Sequence, residues 1–81
     1  MRATVLVRPK PGILDPQGEA VENSLRQLGF AVEGARIGRV VDLELAEDGD
    51  PDQARAELER MCEQLLANPL IESYEITVSP R

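Results

Sequence analysis

Few side chains in this 81-residue sequence are of the types that do chemistry. There is one cysteine, Cys62, and no histidine, which excludes catalytic arrangements built on an imidazole base. Cys62 stands at helical spacing with Leu58, Met61 and Leu66, so we expect a buried and inert thiol. With no histidine and no second thiol, the sequence predicts neither a disulfide nor a metal site.

Three aspartates alternate along one stretch as the carboxylates of a calcium loop do: Asp48, Asp50 and Asp52. Pro51 interrupts them at the start of a predicted helix. A calcium loop also needs glycine at its sixth position, which here is Gln53. The spacing therefore argues against a cation loop.

A second acidic group, Glu57, Glu59 and Glu63, lies on a predicted helix. Glu59 and Glu63 are one helical turn apart, and Arg55 and Arg60 are close enough to compensate their charge. We interpret this group as a solvated helix face rather than a pair of acid and base catalysts.

The overall charge limits the partners. A net charge of −6 makes nucleic acid and anionic membranes poor partners, since both attract cationic surfaces. No apolar run approaches the roughly 20 residues needed to cross a bilayer, and no signal-peptide pattern opens the chain. These features, with the lone cysteine, predict a cytoplasmic protein.

The connection between the first strand and the first helix is unusually constrained. Residues 9–18 contain three prolines and two glycines, and Asp15 before Pro16 is typical of a helix start, with the carboxylate capping a first-turn N–H. Lys10 and Gly12 beside this helix end form the only candidate phosphate site, but the Asp15 charge already occupies it. Gly18 is costly inside a helical turn, so we expect a backbone, ligand or partner to approach it closely.

Hydrophobic periodicity and turn residues predict six elements. They are a strand over residues 1–8 with Ala3, Val5 and Val7 on one face, a helix from Pro16 ended by Gly29, strands over 32–37 and 40–45, a helix from Pro51 capped by Asp50 and ended by Asn68-Pro69, and a strand over 70–78. The first helix carries an apolar stripe of Val21, Leu25 and Leu28. The stripe of the second comprises Ala54, Leu58, Met61, Cys62, Leu65 and Leu66.

The order β-α-β-β-α-β predicts a single α+β domain over residues 1–81. We expect a two-layer sandwich with a four-stranded, mainly antiparallel sheet and both helices on one face. Gly38-Arg39 suits a type II′ turn joining the middle strands. The arrangement is ferredoxin-like, or a variant whose edge strands are rearranged by dimerisation. So small a core favours self-association, and Leu6 and Val40 on the helix-free face favour a covering partner.

Five stretches in this order and spacing resemble the small PurS subunit of phosphoribosylformylglycinamidine synthase. They are residues 10–18, 20–22, 28–30, 36–40 and 61–74. One departure is Arg39, where members of that family often carry lysine. The resemblance covers essentially the whole chain.

The resemblance implies an assembly subunit that is not itself a catalyst. It implies that a large ATP-using synthetase subunit, a glutaminase subunit and this one convert formylglycinamide ribonucleotide to formylglycinamidine ribonucleotide. The small subunit would join the other two and assist ammonia transfer, as a homodimer or tetramer. ATP and Mg would serve the complex, with no cofactor in this chain. We expect the assembly contacts at Lys10, Pro11, Gly12, Leu14, Asp15, Pro16, Gly18, Arg36, Gly38 and Arg39.

A second resemblance is to the ACT domain, an amino-acid-binding regulatory module. It shares the element order and often carries Pro-Gly and an apolar pair after the first strand, as Pro11-Gly12-Ile13-Leu14 does here. Binding of an amino acid at a dimer interface would then be expected. The continuation Asp15-Pro16-Gln17-Gly18 favours the first resemblance.

Overall fold

The computed structural model describes residues 1–46 and 49–79. Its elements are β1 (Arg2–Pro9), α1 (Pro16–Gln27), β2 (Arg39–Glu44), α2 (Pro51–Met61), a π-helical turn (Cys62–Leu66) and β3 (Glu72–Ser79). The predicted α+β class is confirmed. Each predicted helix is present, and three of the four predicted strands form.

The sheet has β1 at its centre, with β2 and β3 antiparallel on either side. Val5 lies opposite Val41 on β2 and opposite Ile76 on β3. The predicted fourth strand over residues 32–37 does not form, so within the described residues the sheet has three strands and the four-stranded prediction is wrong.

The hairpin predicted at Gly38-Arg39 fails for a reason visible in the backbone. A type II′ turn needs a positive φ at its first central residue. In the described chain positive φ occurs only at Gly12 and Gly29. The N–H of Ile37 instead donates to the Asp15 carboxylate at 2.7 Å, which directs this segment toward the loop before α1.

The core lies between the sheet and the residues that follow α2. Ala3, Val5 and Val7 are buried on one face of β1, as strand alternation predicts, and Val5 and Val7 pack with Cys62 and Ala67. Leu58 on α2 is also fully buried. Every second side chain of β1 therefore points into the core from one face of the strand.

The C-terminal part of the second helix departs from its predicted stripe. Met61 is 37% exposed and Leu65 is 83% exposed, so their predicted burial is wrong. The N–H of Ala67 bonds the carbonyl of Cys62, an i→i+5 bond of 2.9 Å. The wider turn rotates Leu65 away from the sheet and leaves Leu66 packed against the core.

The helix α1 begins at Pro16 and is followed by Gly29 at φ +98°, as predicted, but its apolar stripe is not covered. Leu28 is 73% exposed, and within the described residues α1 makes no substantial packing contact with the sheet or α2. The prediction that both helices cover one face is therefore wrong. The radius of gyration is 16.0 Å, whereas a compact domain of this length has about 12 Å.

The segment after α1 runs back along the helix. Arg26 Nε donates to the carbonyl of Val32 at 2.9 Å, and Gly34 lies beside Glu22. We call α1 and this return segment, residues 16–35, the arm. The arm lengthens the molecule to 49 Å and leaves the outer edge of β2 without the strand that the sequence predicts there.

Candidate functional site

The two segments that sequence reasoning singled out meet at one end of the sheet, where β1 ends and β2 begins. Ile37 donates its N–H to Asp15, and Arg36 Nη1 donates to the carbonyl of Pro9 at 3.0 Å. Residues 66–72, which run from the end of the π-helical turn to the first residue of β3, join them. We call the three segments (residues 10–18, 36–39 and 66–72) the turn cluster.

Two glycines of the turn cluster lie where other backbone passes. A Cβ on Gly18 would come within 3.0 Å of the carbonyl oxygen of Ala35, and a Cβ on Gly38 would meet the carbonyl oxygen of Val7 at a similarly forbidden distance. The close approach expected at Gly18 is confirmed, and the neighbour is the backbone of the arm's return segment. Gly18 and Gly38 therefore set how the arm leaves the sheet.

Asp15 has a different role from the predicted one. Its carboxylate accepts the Ile37 N–H instead of capping the first turn of α1, so that part of the prediction is wrong. The Ile37 bond is the main cause that lowers the pKa of Asp15. The N–H groups of Gly18 and Gln17 at the start of α1 lower this pKa less, although neither forms a capping hydrogen bond, and desolvation opposes the shift. A carboxylate that stays ionised at this helix end disfavours an anion there.

The turn before β3 is anchored by Lys10. Its Nζ donates to the carbonyl of Pro69 at 2.6 Å, and its backbone N–H donates to the carbonyl of Ile71 at 2.8 Å. Asn68 Oδ1 accepts the N–H of Leu70 at 3.1 Å. Lys10 is the basic residue of the candidate phosphate site. Because its hydrogen bonds go to carbonyl groups of this turn, it orders the turn.

Arg39 and Glu72 form the main ion pair of the turn cluster. The guanidinium makes two bonds to the carboxylate, at 2.7 and 3.1 Å, and also donates to the carbonyl of Leu66. Glu72 Oε1 accepts the N–H of Asn68 at 2.7 Å. The pair joins β2, the π-helical turn and β3. Sequence reasoning included Arg39 but missed Glu72, because the two are 33 residues apart and only the tertiary fold brings them together.

We expect this pair to make stability depend on acid pH. The hydrogen bond from Arg39, followed by that from Asn68, lowers the pKa of Glu72 from its ordinary 4.5. A lowered folded-state pKa stabilises the chain above the unfolded value, and this stabilisation is lost as pH falls through the folded-state value. Wild type should therefore exceed Glu72→Gln in thermal stability near neutral pH, with the difference shrinking below pH 4.5.

Thermal unfolding across a pH series measures this difference. Glu75→Gln is the matched control on the same strand, since Glu75 pairs with Arg8 at 3.3 Å but its side chain is 68% exposed. Exposed pairs contribute little, so this variant should follow wild type closely. A Glu72→Gln difference that stays constant through the acid range would contradict the prediction.

The surface of the turn cluster is apolar at its tips. Pro11 and Gly12 form a turn with Gly12 at φ +85°, and Leu14 and Leu70 are 75% and 83% exposed. Pro16 sits at the exposed first position of α1. Large apolar side chains exposed on loops that hydrogen bonds hold in place can form a protein interaction surface.

The cysteine lies in the core, whereas the acidic side chains of the second helix lie at the surface. Cys62 is fully buried as predicted, and desolvation followed by Glu59 and Glu63 raises the pKa of its thiol. Glu57 and Glu59 on α2 and Glu63 in the π-helical turn are all exposed, which confirms the solvated face. Asp48 lies outside the described residues. Within residues 1–46 and 49–79 no cluster of three potential metal ligands occurs, and none of the helices there is long and apolar enough to span a membrane.

Comparisons with known proteins extend over nearly the whole chain. Residues 2–80 match the family model of PurS, phosphoribosylformylglycinamidine (FGAM) synthase. The phosphoribosylformylglycinamidine synthase subunit PurS of Methanocaldococcus jannaschii is 37% identical over 78 residues, covering 95% of this chain and 93% of that protein. The corresponding subunit of Synechocystis is 46% identical over 78 residues, covering 90% and 75%.

Solved structures agree with the fold. The crystal structure of PurS from M. jannaschii, one of the subunits of formylglycinamide ribonucleotide amidotransferase, aligns with a TM-score of 0.85 at 34% identity, covering 99% of this chain and 96% of that one. A chain of the PurLQS structure from Thermotoga maritima aligns with a TM-score of 0.83 at 32% identity, covering 94% and 93%. The resemblance to PurS noted in the sequence is thereby confirmed over that to the ACT domain, and this chain belongs to the PurS family of FGAM synthase subunits.

Proposed function

We propose that this chain is the assembly subunit of an FGAM synthase complex, which holds the synthetase and glutaminase subunits together and assists ammonia transfer between them. The turn cluster carries the proposal: Lys10, Arg36 and Arg39 order its turns, while Leu14 and Leu70 remain exposed at their tips. Such a surface suits docking rather than a reaction. The likeness to a chain of PurLQS from T. maritima supports the same role.

We further propose that the chain acts as a homodimer or a tetramer. The stripe of α1 is open to solvent, with Val21 39% and Leu28 73% exposed, and Phe30 beyond it is 59% exposed. The outer edge of β2 is also unpaired within the described residues. Uncovered apolar side chains beside an open strand edge favour association, and a second copy would cover both.

ATP and Mg are assigned to the complex rather than to this chain. The basic side chains of the turn cluster bond to carbonyl groups or to Glu72, so they serve its turns instead of a phosphate. We place the assembled complex in the cytoplasm, where purine synthesis takes place.

Reconstitution tests the proposal. The chain is mixed with its synthetase and glutaminase subunits in the presence of formylglycinamide ribonucleotide, ATP, magnesium and glutamine. Particle mass is measured by light scattering and amidine product by chromatography. We expect a particle containing all three subunits, and product formation from glutamine that depends on this chain. Supplying free ammonium should relieve much of that dependence if the chain assists ammonia transfer.

Two results would overturn the proposal. One is unchanged glutamine-dependent activity when the chain is omitted. The other is a chain that remains separate from both larger subunits.

Sedimentation of the chain alone tests self-association, and a monomer at working concentration would contradict the proposed homo-oligomer.

A further inference from the structure

A groove runs from the end of β2 along one face of α2, from Asp50 to Met61. Its volume is about 310 Å³, and its apolar lining includes Leu45, Ala54 and Met61. Because β2 spans six residues from Arg39 to Glu44, the Leu45 end of the groove is about 20 Å from the turn cluster along the strand. The lining of the groove shares no residue with the turn cluster.

Two carboxylates stand over this apolar lining. Asp50 and Glu57 both line the groove, and no described lining residue is a cation. The Asp52 N–H donates to Asp50 Oδ1 at 3.0 Å, which holds the first carboxylate in place. Glu57 lies 3.9 Å from Arg60, and both side chains are more than half exposed. An ion pair this long and exposed leaves Glu57 available to another cation.

The negative charge of the groove favours a positively charged occupant. The apolar stripe of α1 is flanked by Glu19 and Glu22, and its one arginine, Arg26, is held by Glu22 at 3.2 Å and by the Val32 carbonyl. Docking α1 of a second copy here would bring carboxylates toward carboxylates, which is unfavourable. A segment with apolar side chains beside lysine or arginine fits instead.

We propose that this groove docks an apolar segment bearing lysine or arginine from one of the two larger subunits of the complex. This inference rests on the proposed function, because it takes the partner from that complex. The turn cluster and the groove then give the elongated chain two contact surfaces with no residue in common. A subunit that joins two partners needs two such surfaces.

Charge reversal at the rim tests the proposal. Glu57→Lys places a like charge against the expected cation, and Glu59→Lys makes the same change in net charge on the same helix outside the groove. We expect Glu57→Lys to weaken binding to one larger subunit by about tenfold or more, and Glu59→Lys to weaken it less than about twofold. Calorimetry with each purified larger subunit measures the affinity.

A second pair of variants tests the apolar lining. Met61→Gln removes an apolar lining residue, whereas Leu65→Gln changes a side chain that is 83% exposed outside the groove. We expect a loss of affinity for the same larger subunit with Met61→Gln alone. Thermal unfolding of each variant shows that the fold is kept.

Sedimentation distinguishes the possible occupants. Weakened binding to a larger subunit, with self-association unchanged, supports the proposal. Lost self-association in Glu57→Lys would assign the groove to a second copy and overturn it, as would equal effects of Glu57→Lys and Glu59→Lys. If the wild-type chain binds neither larger subunit, the proposed function fails and this inference fails with it. If the wild-type chain binds and the groove variants bind equally well, the proposed function stands and the groove proposal is wrong.

Discussion

Replacing Gly18 with valine is expected to destabilise the chain and to prevent assembly. A Cβ at this position would lie within 3.0 Å of the Ala35 carbonyl oxygen, which belongs to backbone and has no rotamer to change. Overpacking typically costs about 1–3 kcal/mol, occasionally more. Because a domain of this size is stable by only roughly 4–12 kcal/mol, we expect a large fall in the midpoint of chemical unfolding.

The matched control for this substitution is Gly34→Ala, which is also in the arm. A Cβ there would lie 3.7 Å from Glu22 Oε1, an ordinary van der Waals contact, so stability should change little. Affinity for the larger subunits is measured beside stability. A Gly18→Val chain that assembles with wild-type affinity would show that this turn is only local structure.

Replacing Leu58 with alanine should lower the free energy of unfolding about as much as Gly18→Val does, because it removes a buried side chain from the core. Leu58 is 0% exposed and is among the largest fully buried side chains of the described chain. Truncation of a buried leucine leaves a cavity and costs about 2–5 kcal/mol. The unfolding free energy from urea titration should fall by this amount with little change in slope, since the two-state transition is retained.

Leu65→Ala, seven residues further along the second helix, is the control for Leu58→Ala. Leu65 is 83% exposed, so its truncation removes little buried surface and should leave the unfolding free energy of the isolated chain nearly unchanged. Equal losses in the two variants would contradict the assignment of the π-helical turn, which is what turns Leu65 outward.

The turn cluster and the groove are made of different residues. The turn cluster lies where β1 ends and where β2 and β3 begin, whereas the groove extends from the end of β2 along α2. The arm departs from the turn cluster and carries exposed apolar side chains. Under the proposed function, these three surfaces would serve contacts with a second copy and with two different partners.

Local patterns predicted most of the elements correctly. Pro16 begins α1 and Gly29 follows its end, and Asp50 caps α2 through the N–H of Asp52 at 3.0 Å. Alternation in β1 correctly assigned Ala3, Val5 and Val7 to the buried face. These succeed because caps and alternation depend on residues only a few positions apart.

The site was predictable in part. The cost of glycine in a helical turn indicated close approach at Gly18, and the structure identifies Ala35 as the neighbour. Nothing near Arg39 in sequence points to Glu72, and nothing near Lys10 points to the Pro69 carbonyl. Partners that distant along a single sequence leave no local signal.

By itself, the sequence determined where the two helices begin and which face of β1 is apolar, because backbone geometry and short-range hydrogen bonds decide both. Only the tertiary structure decided the number of strands and the path of α1. Residues 32–37 have strand-like composition, yet the Ile37 N–H bonds Asp15 and Gly38 packs against the Val7 carbonyl. Those long-range contacts direct the segment into the arm and leave apolar side chains of α1 exposed.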